Sequence, residues 1–392
     1  MIFNSLGSNY NFGFALKALF APSWVSDVRK LQDFLKAKYQ GKAVLLYKGR
    51  EALALALQVL SLPKDSLVLV NGYTCFAVYQ AIIEAGCRPG YLDIAQGDLN
   101  FSAASLKVKL ESHPETKVVI TQNTLGYPCD MEAITEICRQ KNVVLIEDLA
   151  HSAGAIHKNG QEAGSFGDFV VLSFSQDKII DAVSGGALII RNKKYENMSF
   201  KVVPVGLKQR IVDRWYPILT FKIRKTYAFG LGKIIHKILK ASKLLSQPMG
   251  SLEKLVFHSL PGWYCRLAYE CFEDLSENII RRRKIAQIYL EKINHKVLFI
   301  NQSSNATNLR FPILIENRSK LIEDLKNHSI HISDIWYDAP IAPAKYMTQT
   351  NYAHECPESE KLSRLMLNLP THNGVSPQQA ENLAEKINLW LQ

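Results

Sequence analysis

Two short stretches concentrate the residue types that bond-making chemistry uses. VVLIEDLAHSAGA ends an apolar run on Glu147 and Asp148 and sets His151 three residues on. VVLSFSQDK ends a second run on Ser173, with Lys178 in the loop beyond and Gly185-Gly186 after it. An acid, an imidazole and a lysine amine gathered at one place could serve acid–base chemistry or supply a nucleophilic amine. Each also has a plain structural reading, with Asp148 as a helix cap, His151 as a hydrogen-bonded loop residue and Lys178 as a solvated surface lysine. Spacing alone leaves both readings open.

The elements that must position these groups follow from the apolar pattern. Short β-rich runs at 43–47, 67–70, 89–94, 117–121, 143–147, 169–174 and 187–190 alternate with helix-like segments. Near-continuous apolar strands separated by helices predict a mostly parallel, seven-stranded sheet covered on both faces. Helices are expected over Glu51–Leu60, over Phe76–Ala85 behind Thr74, and over Met131–Arg139 behind Asp130. Each starts just past the carboxyl end of a strand, the edge at which open α/β sheets bind ligands.

With 392 residues, 47% of them apolar and 21% charged, the chain is expected to form two globular domains, 1–250 and 251–392. The second reads as a small mixed α/β unit with its connecting helix. It has a helical stretch over Leu267–Ile293, strands at Phe311–Ile315 and Ile330–Trp336, a helix at Ser319–Asn327, and a final helix capped by Ser376. The net charge of +11 is local, because residues 201–250 hold eleven Lys/Arg against a single acid, Asp213. That placement argues against a nucleic-acid coat. Within this basic segment, residues 232–245 have helical periodicity, with Ile234, Ile235, Ile238 and Leu239 opposite several lysines. The segment could steer phosphates, touch an acidic membrane surface, or form a solvated rim beside a dimer contact. Membrane contact is not the favoured reading.

Seven cysteines with no C-x-x-C favour neither a disulfide framework nor structural zinc, and the His328/His331 and His354/Cys356 pairs have no matching second pair. No metal is expected, and a cytoplasmic location fits best. The stretch from Phe12 to Val25, interrupted by Lys17 and Pro22, makes a poor signal peptide.

The matching stretches KGREALALAL (48–57), NGYTCFAVYQAIIEAGCRPGYLDI (71–94), NTLGYPCDMEAI (123–134), IEDLAHSAGA (146–155), GSFGDFVVLSFSQDK (164–178), SGGALI (184–189), RRRKIAQIY (281–289) and ESEKLSRLMLNLPTH (358–372) resemble the DegT-type sugar aminotransferases. These are fold-type I enzymes that use pyridoxal 5′-phosphate (PLP). The resemblance implies Lys178 as the Schiff-base lysine and Asp148 as partner of the pyridinium nitrogen. It aligns His151 with a Gln or His beside the cofactor's phenolic oxygen, and Ser173 with a hydroxyl on the phosphate. The Gly49-Arg50-Glu51 turn would add backbone N–H groups at a helix N-terminus, which suits an anion.

Several positions depart from the family pattern. Arg50 stands where the family has Thr, so a hydroxyl is exchanged for a guanidinium able to pair with phosphate. Cys75 precedes Phe76 where many relatives stack an aromatic ring on the cofactor, which leaves Cys75, Phe76 or neither as that wall. Ile179 and Ser184 replace Asn and Glu near the substrate mouth. Relatives that dehydrate sugars carry histidine at the Schiff-base position, so Lys178 favours transamination. The resemblance therefore implies a homodimeric aminotransferase moving an amino group, from glutamate as the expected donor, to a nucleotide-linked keto-sugar for polysaccharide or natural-product biosynthesis. A PLP-binding regulatory protein and a PLP-dependent dehydratase or lyase are the alternatives.

Overall fold

The computed structural model describes residues 1–246, 256–300, 304–332 and 336–392. Its central sheet is built from β1 (Lys42–Leu46), β2 (Leu67–Asn71), β3 (Arg88–Leu92), β4 (Val118–Gln122), β5 (Val144–Asp148), β6 (Phe169–Ser173) and β7 (Gly186–Ile190). Two-residue strands, β8 (Val203–Pro204) and β9 (His258–Ser259), extend one edge to give the order β8-β9-β1-β7-β6-β5-β4-β2-β3. All seven expected strands are present. The sheet reaches nine because backbone at the start of the basic segment and just beyond its end covers the otherwise open edge of β1.

Strands β2 to β6 pair in parallel, while β7 runs antiparallel to both β6 and β1. The reversal has a direct consequence for the site. A parallel neighbour would need a crossover, whereas β6 and β7 are joined by the short 174–185 loop, which stays at the carboxyl edge and carries Lys178.

Alternation along the strands divides the core. Val44, Leu46, Val171 and Leu188 pack on one face, against the Gly49–Val59 and Phe76–Glu84 helices. Leu45, Val170, Leu172 and Ile189 face the other, against the Val25–Tyr39 and Gly262–Glu273 helices. The expected helix over Leu267–Ile293 is two helices, Gly262–Glu273 and Leu275–Lys292, which meet at Asp274, the C-cap of the first and the N-cap of the second. The first packs on the large sheet, and the last turns of the second belong to a separate core with Ile285, Tyr289, Phe311, Leu369 and Ile387. That smaller unit pairs β10 (Arg310–Leu314) antiparallel with β11 (Met366–Pro370). Ser376 and Gln379 form the reciprocal cap of its last helix, as expected. Of the strand expected over 330–336, Ile330–His331 is present and pairs with Ile2–Phe3, and 333–335 lie outside the described residues.

The basic segment is helical. Leu207–Thr226 and Leu231–Ala241 follow one another, and the N-terminal Phe12–Phe20 helix, which sequence patterning did not separate, packs on the first.

Candidate active site

A cavity of about 560 Å³ opens at the carboxyl ends of β5 and β6, lined by seven of the eight residues singled out from the sequence: Gly49, Arg50, Cys75, Asp148, His151, Ser173 and Lys178. Glu51 is the exception. Its side chain turns from the cavity to accept from the His258 backbone N–H (2.8 Å) and to meet His258 Nδ1 (3.1 Å), tying the Gly49–Val59 helix to β9. Only its backbone N–H is left to an anion at that turn.

Strand alternation separates the two neighbouring acids. Glu147 is a structural carboxylate that accepts from the backbone N–H groups of Gly164, Phe166 and Gly167 at 2.6–2.8 Å. Asp148 faces the cavity, and its carboxylate accepts from Ala150 N–H (2.9 Å). Burial pushes its carboxyl above the ordinary range, while the Ala150 bond and the Lys178 charge pull it back. A cationic ring nitrogen beside it would favour the ionised form.

The loop that carries Lys178 is fixed through Asp181. That buried carboxylate accepts from Tyr10 Oη, Asn9 Nδ2 and the backbone N–H groups of Asp177 and Val183. Asn9 is itself held by Arg282, which also donates to the Leu309 carbonyl and Thr371 Oγ1. The N-terminal segment and the small unit thus jointly set the position of the lysine.

Lys178 Nζ lies 2.9 Å from His151 Nε2. The other imidazole nitrogen, Nδ1, accepts from Leu125 N–H at 3.1 Å and faces Tyr337 Oη at 3.4 Å. A backbone N–H can only donate, so Nδ1 carries no proton and a neutral ring must carry its proton on Nε2. Nε2–H then donates to Lys178, and the amine must accept, which an ammonium cannot do. The ionisation tendencies agree. Burial lowers the Lys178 pKa against the pull of Cys75, Asp148 and Asp177, and burial is the largest cause holding His151 well below its ordinary value. The arrangement is braced behind the ring: Thr74 donates to Gln122 Oε1 (2.6 Å), and Gln122 Nε2 donates to Tyr337 Oη (3.1 Å). Leu125 holds its N–H on the ring from a left-handed backbone, φ 54°.

Opposite these groups, the Gly49–Val59 helix points its N-terminus into the cavity, and its N-cap residue Lys48 supplies no side-chain cap. A Cβ at Gly49 would lie 2.8 Å from Ser173 Cβ, so only glycine lets the helix end sit this close to the strand end. Arg50 lines the same corner and donates to Gln80 Oε1 (3.2 Å). Phe76 is not a wall of the site, because it turns into the core and stacks on Tyr346 with ring centroids 4.6 Å apart. The aromatic cover is Trp336, stacked on His151 (5.3 Å, 25°) with Lys178 Nζ 4.6 Å from its ring centre. Ile179 is buried in the core and Ser184 donates to the Tyr47 carbonyl, so neither departure from the family pattern lines the cavity.

Trp336, Tyr337, Gln122, Gln176, His236, Lys240 and Lys345 line the site without having been singled out. His236 and Lys240 come from the basic segment. Its lone acid, Asp213, is buried and accepts from Tyr47, Tyr264, Gln209 and Ser246, and Ser246 in turn accepts from Gln176 (2.9 Å). The one visible signal was the helical periodicity of residues 232–245, which showed a helix but not what it covers.

The donor set fits PLP: a cavity carboxylate, a neutral lysine amine, an aromatic cover, and an uncapped helix end beside a hydroxyl and a guanidinium for the phosphate. The family profile of the DegT/DnrJ/EryC1/StrS aminotransferases matches residues 28–228 and 262–388, leaving the Leu231–Ala241 helix outside the match. GDP-perosamine synthase of Escherichia coli O157:H7 is 26% identical over 383 residues, covering 93% of this chain and 92% of that one. A pleiotropic regulatory protein of Geobacillus stearothermophilus is 24% identical over 369 residues, 92% and 88% of the two chains. Among solved structures, a DegT DnrJ EryC1 StrS aminotransferase from Brucella abortus superposes with a TM-score of 0.71 at 18% identity, covering 96% of this chain and 95% of that one. The chain belongs to the DegT/DnrJ/EryC1/StrS aminotransferase family and is a PLP-dependent aminotransferase.

Proposed function

We propose that the protein moves an amino group from L-glutamate to the keto group of a nucleoside-diphosphate sugar, as a cytoplasmic homodimer. The observation that carries this reading is the Lys178 amine, held as a hydrogen-bond acceptor by His151 in a cavity that also presents Asp148. A neutral amine is both the nucleophile that can capture a carbonyl and, once released, a base for moving a proton. PLP supplies an electron sink. Asp148 would keep a negative charge beside its ring nitrogen, and Ser173, Arg50 and the Gly49 turn would hold its phosphate. Trp336 covers Lys178 and limits water, so that the amine's proton transfers are directed to substrate.

A diphosphate acceptor is supported by the cations around the cavity: Lys48, Lys240 and Lys345, without Arg50, outnumber Asp148 and Asp177 even with Lys178 neutral. Because relatives of similar length bear the name GDP-perosamine synthase, GDP-linked keto-sugars are the first acceptors to try. The test is a panel of GDP-, UDP- and dTDP-linked keto-sugars with L-glutamate, followed by mass spectrometry. Replacement of a carbonyl oxygen by an amino group in one of them is the expected result. If every nucleotide acceptor stays unchanged while the protein still converts glutamate, the diphosphate part of the proposal fails.

A further inference from the structure

Three helices lay apolar stripes on the protein surface where a monomer would be expected to show polar ones. They are Phe12, Leu16 and Phe20 on the N-terminal helix, Leu207, Ile211 and Trp215 on the Leu207–Thr226 helix, and Leu231, Ile234 and Ile238 on the Leu231–Ala241 helix. The spacings i, i+4, i+8 and i, i+3, i+7 keep each stripe on one side of its helix. These helices lie side by side. The Arg214 guanidinium donates to the Leu19 and Ala21 carbonyls while the Phe12 ring meets Phe221, so the first two run antiparallel. Gly232 is pressed on the backbone of Ile223 and Tyr227, which brings the third alongside, and Phe229 in the turn between them is 85% exposed.

The second and third of these helices also carry exposed cations. Lys208, Lys222, Lys225, Lys233, Lys237 and Lys243 are exposed, and among the described residues none of them makes an ion pair. Asp213, which could have offset them, is buried on its own partners. No described helix is long and apolar enough to cross a membrane.

We propose that this face docks the enzyme on an anionic lipid surface, with the aromatic and aliphatic stripes entering the headgroup boundary and the lysines meeting lipid phosphates. Charge decides between the occupants. A second copy across a two-fold axis would set this basic surface against itself, and like charges facing each other oppose association. A nucleic acid would satisfy the lysines but leave Phe229, Ile234, Ile238 and Trp215 against phosphate. An anionic bilayer matches both the cations and the apolar side chains. The Leu231–Ala241 helix also contributes His236 and Lys240 to the cavity, so docking would hold the active site beside the membrane.

The experiment is co-sedimentation of the PLP-loaded full chain with phosphatidylglycerol vesicles and with phosphatidylcholine vesicles, at low and high salt. Two variants accompany it, Ile234→Asp with Ile238→Asp, and Lys233→Glu with Lys237→Glu, with mass by light scattering and the rate of glutamate conversion as controls. Binding to phosphatidylglycerol vesicles alone, released by salt and weakened about tenfold or more by each pair of substitutions, is expected, with mass and conversion rate unchanged. Absence of binding, equal binding to both vesicles, or variants that bind like the parent would overturn the proposal. So would variants that change the oligomer mass, which would assign the face to a second copy.

Discussion

Replacing His151 with phenylalanine removes the imidazole that donates to Lys178 while keeping a planar ring under Trp336. In the parent, Nε2–H stabilises the free amine, and its donor character repels an ammonium at 2.9 Å. Losing one such bond is worth about 1–1.5 kcal/mol, or about one pKa unit at 1.36 kcal/mol per unit. The pKa of Lys178, lowered by burial, should therefore rise by about one unit in His151→Phe. The assay is the rate of PLP uptake by the cofactor-free protein from pH 6 to 10, followed by the absorbance of lysine-bound cofactor. Ionisation of PLP itself is common to all variants and cancels in the comparison. His151→Gln, whose carbonyl can accept from Leu125 and whose amide can donate to Lys178, should keep the parent's midpoint. An unchanged or lowered midpoint in His151→Phe, with the fold intact by circular dichroism, would refute the tautomer argument.

Other consequences can be read from single substitutions. Gly49→Ala places a Cβ 2.8 Å from Ser173 Cβ and should cost about 1–3 kcal/mol, seen as at least about fivefold weaker PLP retention on gel filtration. Arg282→Met leaves the Leu309 carbonyl and the side chains of Asn9, Asn278 and Thr371 short of a donor, and urea unfolding should show a loss of about 3 kcal/mol. The Asp181 carboxyl is pushed up to about 6 by burial from its ordinary 3.8, so between these values the folded protein holds a proton that the unfolded chain has lost. Stability from this group is therefore fully present below about pH 4 and falls as pH rises through about 6, by up to about 3 kcal/mol. Asp181→Asn should flatten that window in thermal unfolding against pH, whatever its effect on overall stability.

The sequence disclosed the parts of the molecule governed by short-range pattern. Seven apolar runs became seven strands, because strands buried on both faces cannot hide their composition, and the order acid, hydroxyl, lysine put Asp148, Ser173 and Lys178 at one sheet edge. What stayed hidden depends on contacts across long stretches of chain. Trp336 and Tyr337 meet His151 from about 185 residues away, and the apolar run before them reads as a strand whether or not it ends at a cavity. His236 and Lys240 look like the polar side of any amphipathic helix until the fold sets these two side chains at the cavity. The sequence offered Cys75, Phe76 or neither as the wall over the cofactor, and only the register pairing Thr74–Cys75 with Ile341–Ala342 shows the Phe76 ring directed into the core. Glu51 is hidden for the same reason, since its partner His258 lies beyond the whole basic segment.

Lys178 is the amine proposed to work within this cavity. The direct test is a single turnover, in which PLP-loaded protein is mixed with L-glutamate and no acceptor, and 2-oxoglutarate is counted, for the parent and for Lys178→Ala. One equivalent per subunit from the parent, with loss of the absorbance band of lysine-bound cofactor, and none from the variant on the same timescale, is the predicted result. Equal release by Lys178→Ala, or no release by the parent from glutamate or any other amino donor, would contradict it.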